Sequence, residues 1–119
     1  MARIGVAEIW TYRAMPGIDI ENVDLTGFKV EATDGSIGKV DEATYETDSS
    51  YLVVDTGPWI LGRKVMLPAG VIDRIDPDDE KLYVDLTKDE IKESPEFDPD
   101  IHRDDSEYRG RLGEYYGRG

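Results

Sequence analysis

The sequence predicts a mainly β protein, a small closed barrel of six strands with a short helical turn after the last strand. Roughly five-residue segments, rich in β-branched and aromatic side chains, alternate with turn residues from position 28 to 86. The dipeptide Asp34-Gly35 is typical of a hairpin turn, because glycine adopts positive φ at little steric cost. After the last segment, Thr87 opens a helix-start motif. Irregular extensions are expected at both ends.

The first half of the predicted barrel contains three strands, at 28–32, 37–43 and 51–55. In the first, the apolar side chains fall on one face, because successive side chains of a strand point to opposite sides. Alternation in the second is imperfect, and Gly38 indicates a bulge or a sharp bend. The third is almost continuously apolar, which is typical of a strand covered on both faces.

The second half contains three further strands, at 64–67, 71–75 and 81–86. Pro68, Ala69 and Gly70 separate the fourth strand from the fifth, and the acidic turn at 76–80 separates the fifth from the sixth. The sixth alternates most clearly, with Leu82 and its apolar neighbours predicted inward and residues such as Tyr83 outward.

The helical turn is predicted from a capping box. The Thr87 hydroxyl can accept from the backbone N–H of Glu90, and the Glu90 side chain can accept from the Thr87 N–H. Ile91 would then face the barrel. Pro95 ends the turn, because the residue before a proline is disfavoured in the α conformation.

The composition and charge of the chain exclude several classes of function. The chain has 119 residues, a formal charge of −13 and no cysteine, which excludes disulfides, thiolate metal sites and cysteine nucleophiles. The excess of acid would repel nucleic-acid phosphates and anionic membrane surfaces. It is expected to serve solubility, or to offer an acidic face to a basic partner.

One domain with two extensions is predicted: an N-terminal extension at 1–23, the barrel at 24–99, and a tail rich in Tyr, Gly and Arg at 100–119. The sequence holds no apolar run long enough to cross a membrane. No membrane insertion and a cytoplasmic location are therefore expected.

Four stretches resemble the PRC-barrel family: GSIGKVD from Gly35, YLVVDTG from Tyr51, VMLPAGVIDRID from Val65, and VDLTKDEIKESPEF from Val84. That family includes the cytoplasmic domain of the photosynthetic reaction-centre H subunit and the C-terminal domain of a ribosome-maturation factor. The chain is similar to stand-alone acidic members from actinobacteria, which carry comparable aromatic termini. The resemblance implies a six-stranded PRC-type barrel used for protein contact and assembly.

Eight side chains are candidates for partner contact. Trp59, Ile60 and Leu61 lie between strands, where apolar residues either cover a barrel end or meet a partner. The other five lie in the termini, and they either fold back onto their own barrel or swap onto a second copy; they are Trp10, Tyr12, Tyr108, Tyr115 and Tyr116.

Sites for chemistry are not expected. His102 is the only histidine and is predicted to be a surface residue. The acidic turn at 76–80 departs from the calcium-loop pattern, and the glycines around Ser36 lack the phosphate-loop spacing. The sequence therefore predicts no cofactor, no metal ion and no catalytic residue.

The favoured function is a non-enzymatic interaction or assembly module that contacts protein partners, with a basic partner suiting its charge. A homodimer is expected, because aromatic arms on a small barrel provide surface to bury. The alternative is a regulatory protein that binds a small ligand or a metal ion at the barrel mouth or the acidic turns. An enzyme ranks lowest.

Overall fold

The computed structural model describes residues 9–13, 17, 22–45, 50–57, 63–98, 102 and 105–117 of the chain. Within them lie six strands: β1 (Lys29–Ala32), β2 (Gly35–Ala43), β3 (Tyr51–Asp55), β4 (Lys64–Pro68), β5 (Ile72–Asp76) and β6 (Lys81–Val84). A single 3-10 turn, Ala69–Val71, joins β4 to β5, and two α-helices follow, α1 (Lys88–Lys92) and α2 (Ser106–Tyr116). The mainly β class and the six strands are confirmed, with bounds within two residues of those predicted.

The six strands form one mixed sheet in the order β4-β3-β2-β1-β6-β5. Neighbours are antiparallel except β1 and β6, which run parallel. The two outermost strands, β4 and β5, are consecutive in sequence. In a flat sheet they would lie roughly 24 Å apart, whereas their three-residue connection reaches at most about 14 Å. The sheet must therefore curl strongly to bring its two edges together.

The closed barrel predicted from sequence is not detected, because no ladder joins β4 to β5 among the described residues. At the seam between β4 and β5, the backbone instead forms hydrogen bonds to other parts of the chain. The Gly70 N–H donates to the Ile9 carbonyl at 2.7 Å, and the Ala69 N–H donates to the Ser50 carbonyl at 3.0 Å. The structure is therefore a curled sheet, and residues outside the strands bridge the seam between its two edges.

The core packs on both faces of β3 and β4 and on one face of β1 and β6. The strands contribute mostly Val, Ile and Leu, and each of the fully buried residues among them is at most 1% exposed; they are Val30, Ile37, Leu52, Val53, Val54, Met66, Leu67, Ile72 and Leu82. β3 is buried from Tyr51 to Val54, as its continuous apolar run predicted. Burying one such side chain contributes about 1.5–3 kcal/mol, so this cluster dominates the stability of the sheet.

Gly38 occupies the predicted irregularity in β2. The register with β1 shifts there, because Val30 faces Gly38 while Glu31 faces Ser36. The φ of Gly38 is +147°, a value that other residues rarely adopt. A side chain at this position would overlap the backbone of Asp55, so the main chains of β2 and β3 approach each other closely.

The predicted capping box opens α1. The Thr87 hydroxyl accepts from the Glu90 N–H at 3.1 Å, and the Glu90 carboxylate accepts from the Thr87 N–H at 3.0 Å. Asp34 accepts from the Lys88 N–H at 2.8 Å, so the β1–β2 turn is tied to the start of the helix. Ile91 is fully buried. These contacts hold α1 against one end of the sheet.

The expectation of an irregular C-terminal extension is wrong for residues 106–116, which form α2. Asp105 caps the helix by accepting from the N–H groups of Glu107 and Tyr108. Tyr108, Leu112 and Tyr116 recur at every fourth position and are buried, which is the spacing of one helix face. Among the described residues, no helix is long and apolar enough to cross a membrane.

Candidate functional site

A shallow groove of about 540 Å³ opens on the convex face of β1, β6 and β5. Glu31 of β1 is in register with Tyr83 of β6, and Tyr83 is in register with Arg74 of β5. The three side chains therefore form one row across three strands, with Asp73 and Asp85 lining the same groove. We call this surface the acidic groove.

A bulge in β5 gives the acidic groove part of its charge. The register with β6 shifts between Ile72 and Arg74, so Asp73 is an extra residue in that strand. A bulge places consecutive side chains on similar sides of a strand, and both Asp73 and Arg74 are exposed. The guanidinium of Arg74 lies over the Tyr83 ring, 4.2 Å from its centroid. This is a cation–π contact, in which the ring face attracts the positive charge.

A second arginine, from the N-terminal segment, reaches the same groove. Arg13 donates through Nε to the Gly70 carbonyl at 2.8 Å, and its terminal nitrogens lie 3.4 Å from an Asp73 oxygen and 3.8 Å from an Asp85 oxygen. The two aspartate side chains remain 65% and 66% exposed. Ion pairs this open contribute little stability, so the carboxylates stay accessible to another cation.

The predicted contact residues at the N-terminus pack within the chain. Trp10 is buried, and its indole lies beside Gly113 of α2. Tyr12 is half-buried; it stacks on Tyr45 with ring centroids 5.7 Å apart and donates to the Thr44 carbonyl at 2.7 Å. Tyr12 is partly exposed, so a partner could contact it in this conformation. Trp10 is buried, so a partner could contact it only if the N-terminal segment detached.

The predicted contact residues of the C-terminus hold α2 in place. Tyr108 is fully buried, donates to the Pro95 carbonyl at 2.9 Å and stacks on His102 with centroids 4.3 Å apart. Tyr115 is half-buried and donates to the Glu90 carbonyl at 2.7 Å. Tyr116 is buried, and its hydroxyl has no hydrogen-bond partner among the described residues.

Trp59, Ile60 and Leu61 lie outside the described residues, and their contact role stays a prediction. His102 is partly exposed, and its Nδ1 accepts from the Asp98 N–H at 2.9 Å. In the acidic turn, Asp76 accepts from the N–H groups of Asp78 and Asp79. No group of three or more potential metal ligands occurs in the part of the chain that the structure describes.

Burial raises the pKa of four tyrosines, Tyr12, Tyr45, Tyr108 and Tyr116. It raises the pKa of Tyr12 above the ordinary value of 10.0, and the neighbouring Tyr45 adds to the shift. Burial is also the main cause of the raised pKa of Tyr108 and Tyr116. The neutral phenol is therefore the form that each of these positions accommodates.

We expect the fold to lose stability as the pH rises above 10. A group with a raised pKa in the folded state stabilises that state below its unfolded pKa, and this contribution disappears as the pH approaches the folded value. Tyrosinate absorbance should therefore rise cooperatively, together with loss of the β-sheet circular dichroism signal. Complete titration of all seven tyrosines with an unchanged dichroism spectrum would contradict this expectation.

The acidic groove was not among the sites predicted from sequence. The alternation of β6 did place Tyr83 outward, which was one available signal. The row with Glu31 depends on the parallel pairing of β1 with β6, and local patterns carry no information about that pairing. The approach of Arg13 depends on the path of the N-terminal segment, which the sequence predicts only as an irregular extension.

Comparisons with known proteins give limited similarity. No family model matches the chain, and no curated protein matches it. Among solved structures, a putative 16S ribosomal RNA processing protein, RimM of Pseudomonas aeruginosa, is similar, with 22% sequence identity and a TM-score of 0.47. The match covers 60% of this chain and 50% of that one, so this chain corresponds to about half the length of that protein.

Proposed function

We propose that this chain is a PRC-barrel-type protein, a non-enzymatic interaction module that receives a basic segment of a protein partner in the acidic groove. The motifs behind the family resemblance fall at structural junctions. Leu67-Pro68-Ala69 marks the end of β4 at the seam, and Thr87 and Glu90 cap α1. The curled six-stranded sheet suits a barrel of this kind, completed at the seam by the N-terminal segment.

The row of Glu31, Tyr83 and Arg74, with two open aspartates beside it, is the observation that carries the proposal. A lysine or arginine entering the groove meets carboxylate oxygens at its rim, beside a Tyr83 ring that already carries the Arg74 guanidinium. That internal contact of a cation with an exposed ring is worth about 0.5–1 kcal/mol. Two guanidinium groups of the chain itself, from Arg13 and Arg74, already lie there, which indicates the chemistry that the surface accepts.

The charge of the whole molecule supports the same kind of partner. At −13, the chain attracts a basic protein over a distance of about one Debye length, roughly 8 Å at physiological ionic strength. Such attraction mainly accelerates association and sharpens the choice of partner. Association should therefore weaken as salt is added.

We expect a charge reversal in the acidic groove, Glu31→Lys, to remove most of the partner recovered from native cells by the tagged full-length chain. Asp78→Lys is the matched control, because it makes the same change of charge in the exposed acidic turn. Quantitative mass spectrometry of the captured proteins is the measurement. Recovery of the same proteins in equal amounts with both variants, or capture of acidic proteins only, would contradict the proposal.

A further inference from the structure

The N-terminal segment, residues 9–13, lies on the protein as a bound peptide would. Its main chain accepts twice, at the Ile9 carbonyl from the Gly70 N–H (2.7 Å) and at the Trp10 carbonyl from the Ser50 N–H (2.9 Å). Arg13 adds a side-chain hydrogen bond to the Gly70 carbonyl. The segment turns at residues 9–11, so these main-chain bonds hold a bent peptide in place, and the surrounding side chains supply its specificity.

Two glycines shape the surface that receives this segment. A Cβ on Gly70 would lie 2.5 Å from the Ile9 carbonyl oxygen, and a Cβ on Gly113 would lie 3.0 Å from the indole nitrogen of Trp10. The first distance is too short for any side chain, so Gly70 admits the peptide main chain; the second is a tight contact, so Gly113 lets the indole lie close to α2. We call the surface formed by Ser50, Gly70 and Gly113 the terminal groove.

The buried side chains of the segment complete the match. Ile9 is 3% exposed and Trp10 is 9% exposed, and both lie against α2 at Gly113. Arg13 faces the carboxylates of Asp73 and Asp85. The terminal groove is thus built for an apolar pair followed by a cation, and the segment of any copy of this chain carries that pattern.

We propose that the terminal groove also takes the N-terminal segment of a second copy, so that two chains form a dimer by exchanging residues 9–13. Residues 14–21 connect the segment to Asn22, and fully extended they reach roughly 30 Å. The molecule measures 34 × 32 × 28 Å, so this reach is enough to cross to a neighbouring copy. Exchange of an identical element is a low-cost route to a dimer, because every contact is conserved.

In the wild-type chain, its own N-terminal segment competes with the segment of a second copy for the terminal groove. A short connection gives the chain's own segment an effective concentration on the order of millimolar. At micromolar protein the monomer therefore dominates, and the exchanged dimer becomes populated only near millimolar concentration. Weakening the internal contact on both chains removes this competition, and the dimer then forms at much lower concentration.

Two complementary full-length variants test the exchange. Trp10→Ala weakens the segment and leaves the terminal groove intact, whereas Gly113→Leu blocks the groove and leaves the segment intact. Each variant alone is expected to stay at the chain mass of 13.4 kDa in light scattering at micromolar concentration. Their equimolar mixture is expected to give about twice that mass, and native mass spectrometry should identify a heterodimer.

Gly110→Leu is the matched control, because Gly110 lies on the exposed side of the same helix with nothing within 4 Å of its added Cβ. A mixture of Trp10→Ala with Gly110→Leu should stay monomeric, since the second chain has no reason to release its segment. If the Trp10→Ala and Gly113→Leu mixture also stays monomeric, with both chains folded by circular dichroism, the proposal is overturned.

A labelled peptide keeps the test decisive if Gly113→Leu does not fold. The probe is a fluorescein-labelled peptide of residues 6–14, added to the full-length Trp10→Ala chain. Saturable binding by fluorescence anisotropy is expected, weakened at least tenfold by the further change Gly70→Val. Absence of binding up to millimolar peptide would overturn the proposal. These changes lie outside the acidic groove, so this result and that of the Glu31→Lys experiment can be distinguished.

Discussion

Replacing Gly38 by alanine is expected to destabilise the protein by about 3–5 kcal/mol, because two separate penalties fall on one methyl group. The first is conformational, since φ of +147° lies where residues with a Cβ are strained. The second is steric, since the methyl group would overlap the Asp55 carbonyl and lie 2.9 Å from the Thr56 Cα. Both contacts are with main chain, which cannot rotate away as a side chain can.

Gly57→Ala provides a comparison with a conformational penalty and no steric one. Gly57 has φ of +57° and nothing within 4 Å of an added Cβ, so its substitution carries the conformational term alone, about 1 kcal/mol. Urea unfolding followed by circular dichroism measures both variants. A Gly38→Ala midpoint within error of the Gly57→Ala midpoint would show that β2 and β3 do not approach each other as closely as described.

Truncating Tyr108 to alanine is expected to cost about 3–5 kcal/mol and to detach α2 from the sheet. The ring is fully buried and makes contacts in two directions, stacking on His102 and lying 5.8 Å from the centroid of Phe97. Its loss leaves a cavity between α2 and the chain after α1. The helical circular dichroism signal should fall with the stability, because α2 alone is too short to be stable in water.

Two tyrosine-to-phenylalanine variants measure what the tyrosine hydroxyl alone contributes to stability. Tyr108→Phe leaves the Pro95 carbonyl without its donor and is expected to cost roughly 1–2 kcal/mol. Tyr116→Phe removes a buried hydroxyl that has no hydrogen-bond partner among the described residues, so its effect should lie within about 0.5 kcal/mol of zero or be stabilising. Equal losses for the two variants in urea unfolding would contradict these assignments.

The strands were predictable because their signals are local. Short apolar runs, the Asp34-Gly35 turn and the capping box at Thr87 each depend on residues within a few positions of one another. These signals placed β3 at its observed bounds and the start of α1 at its observed cap. The inward face of β6 followed from alternation alone, because the side chains of a strand alternate wherever the strand lies in the sheet.

The sequence did not predict α2, because few of its residues are apolar. Gly110, Gly113 and two arginines interrupt a stripe of three buried residues, and glycine is a poor helix former. Burial against the sheet and the N-terminal segment compensates for this low propensity. The acidic groove and the seam were missed for a different reason, since both depend on residues far apart in sequence, such as Glu31 with Tyr83 and Ile9 with Gly70.

The parallel pairing of β1 with β6 has a consequence for the order in which a nascent chain folds. β1 can form its hairpin with β2 as soon as both have been synthesised, but its other edge waits some fifty residues for β6. Contacts separated so far along a chain slow folding. Until β6 emerges from the ribosome, β1 presents a strand edge without a partner, the kind of edge to which other chains add. The topology therefore delays the second pairing of β1 until nearly all of the sheet has been synthesised.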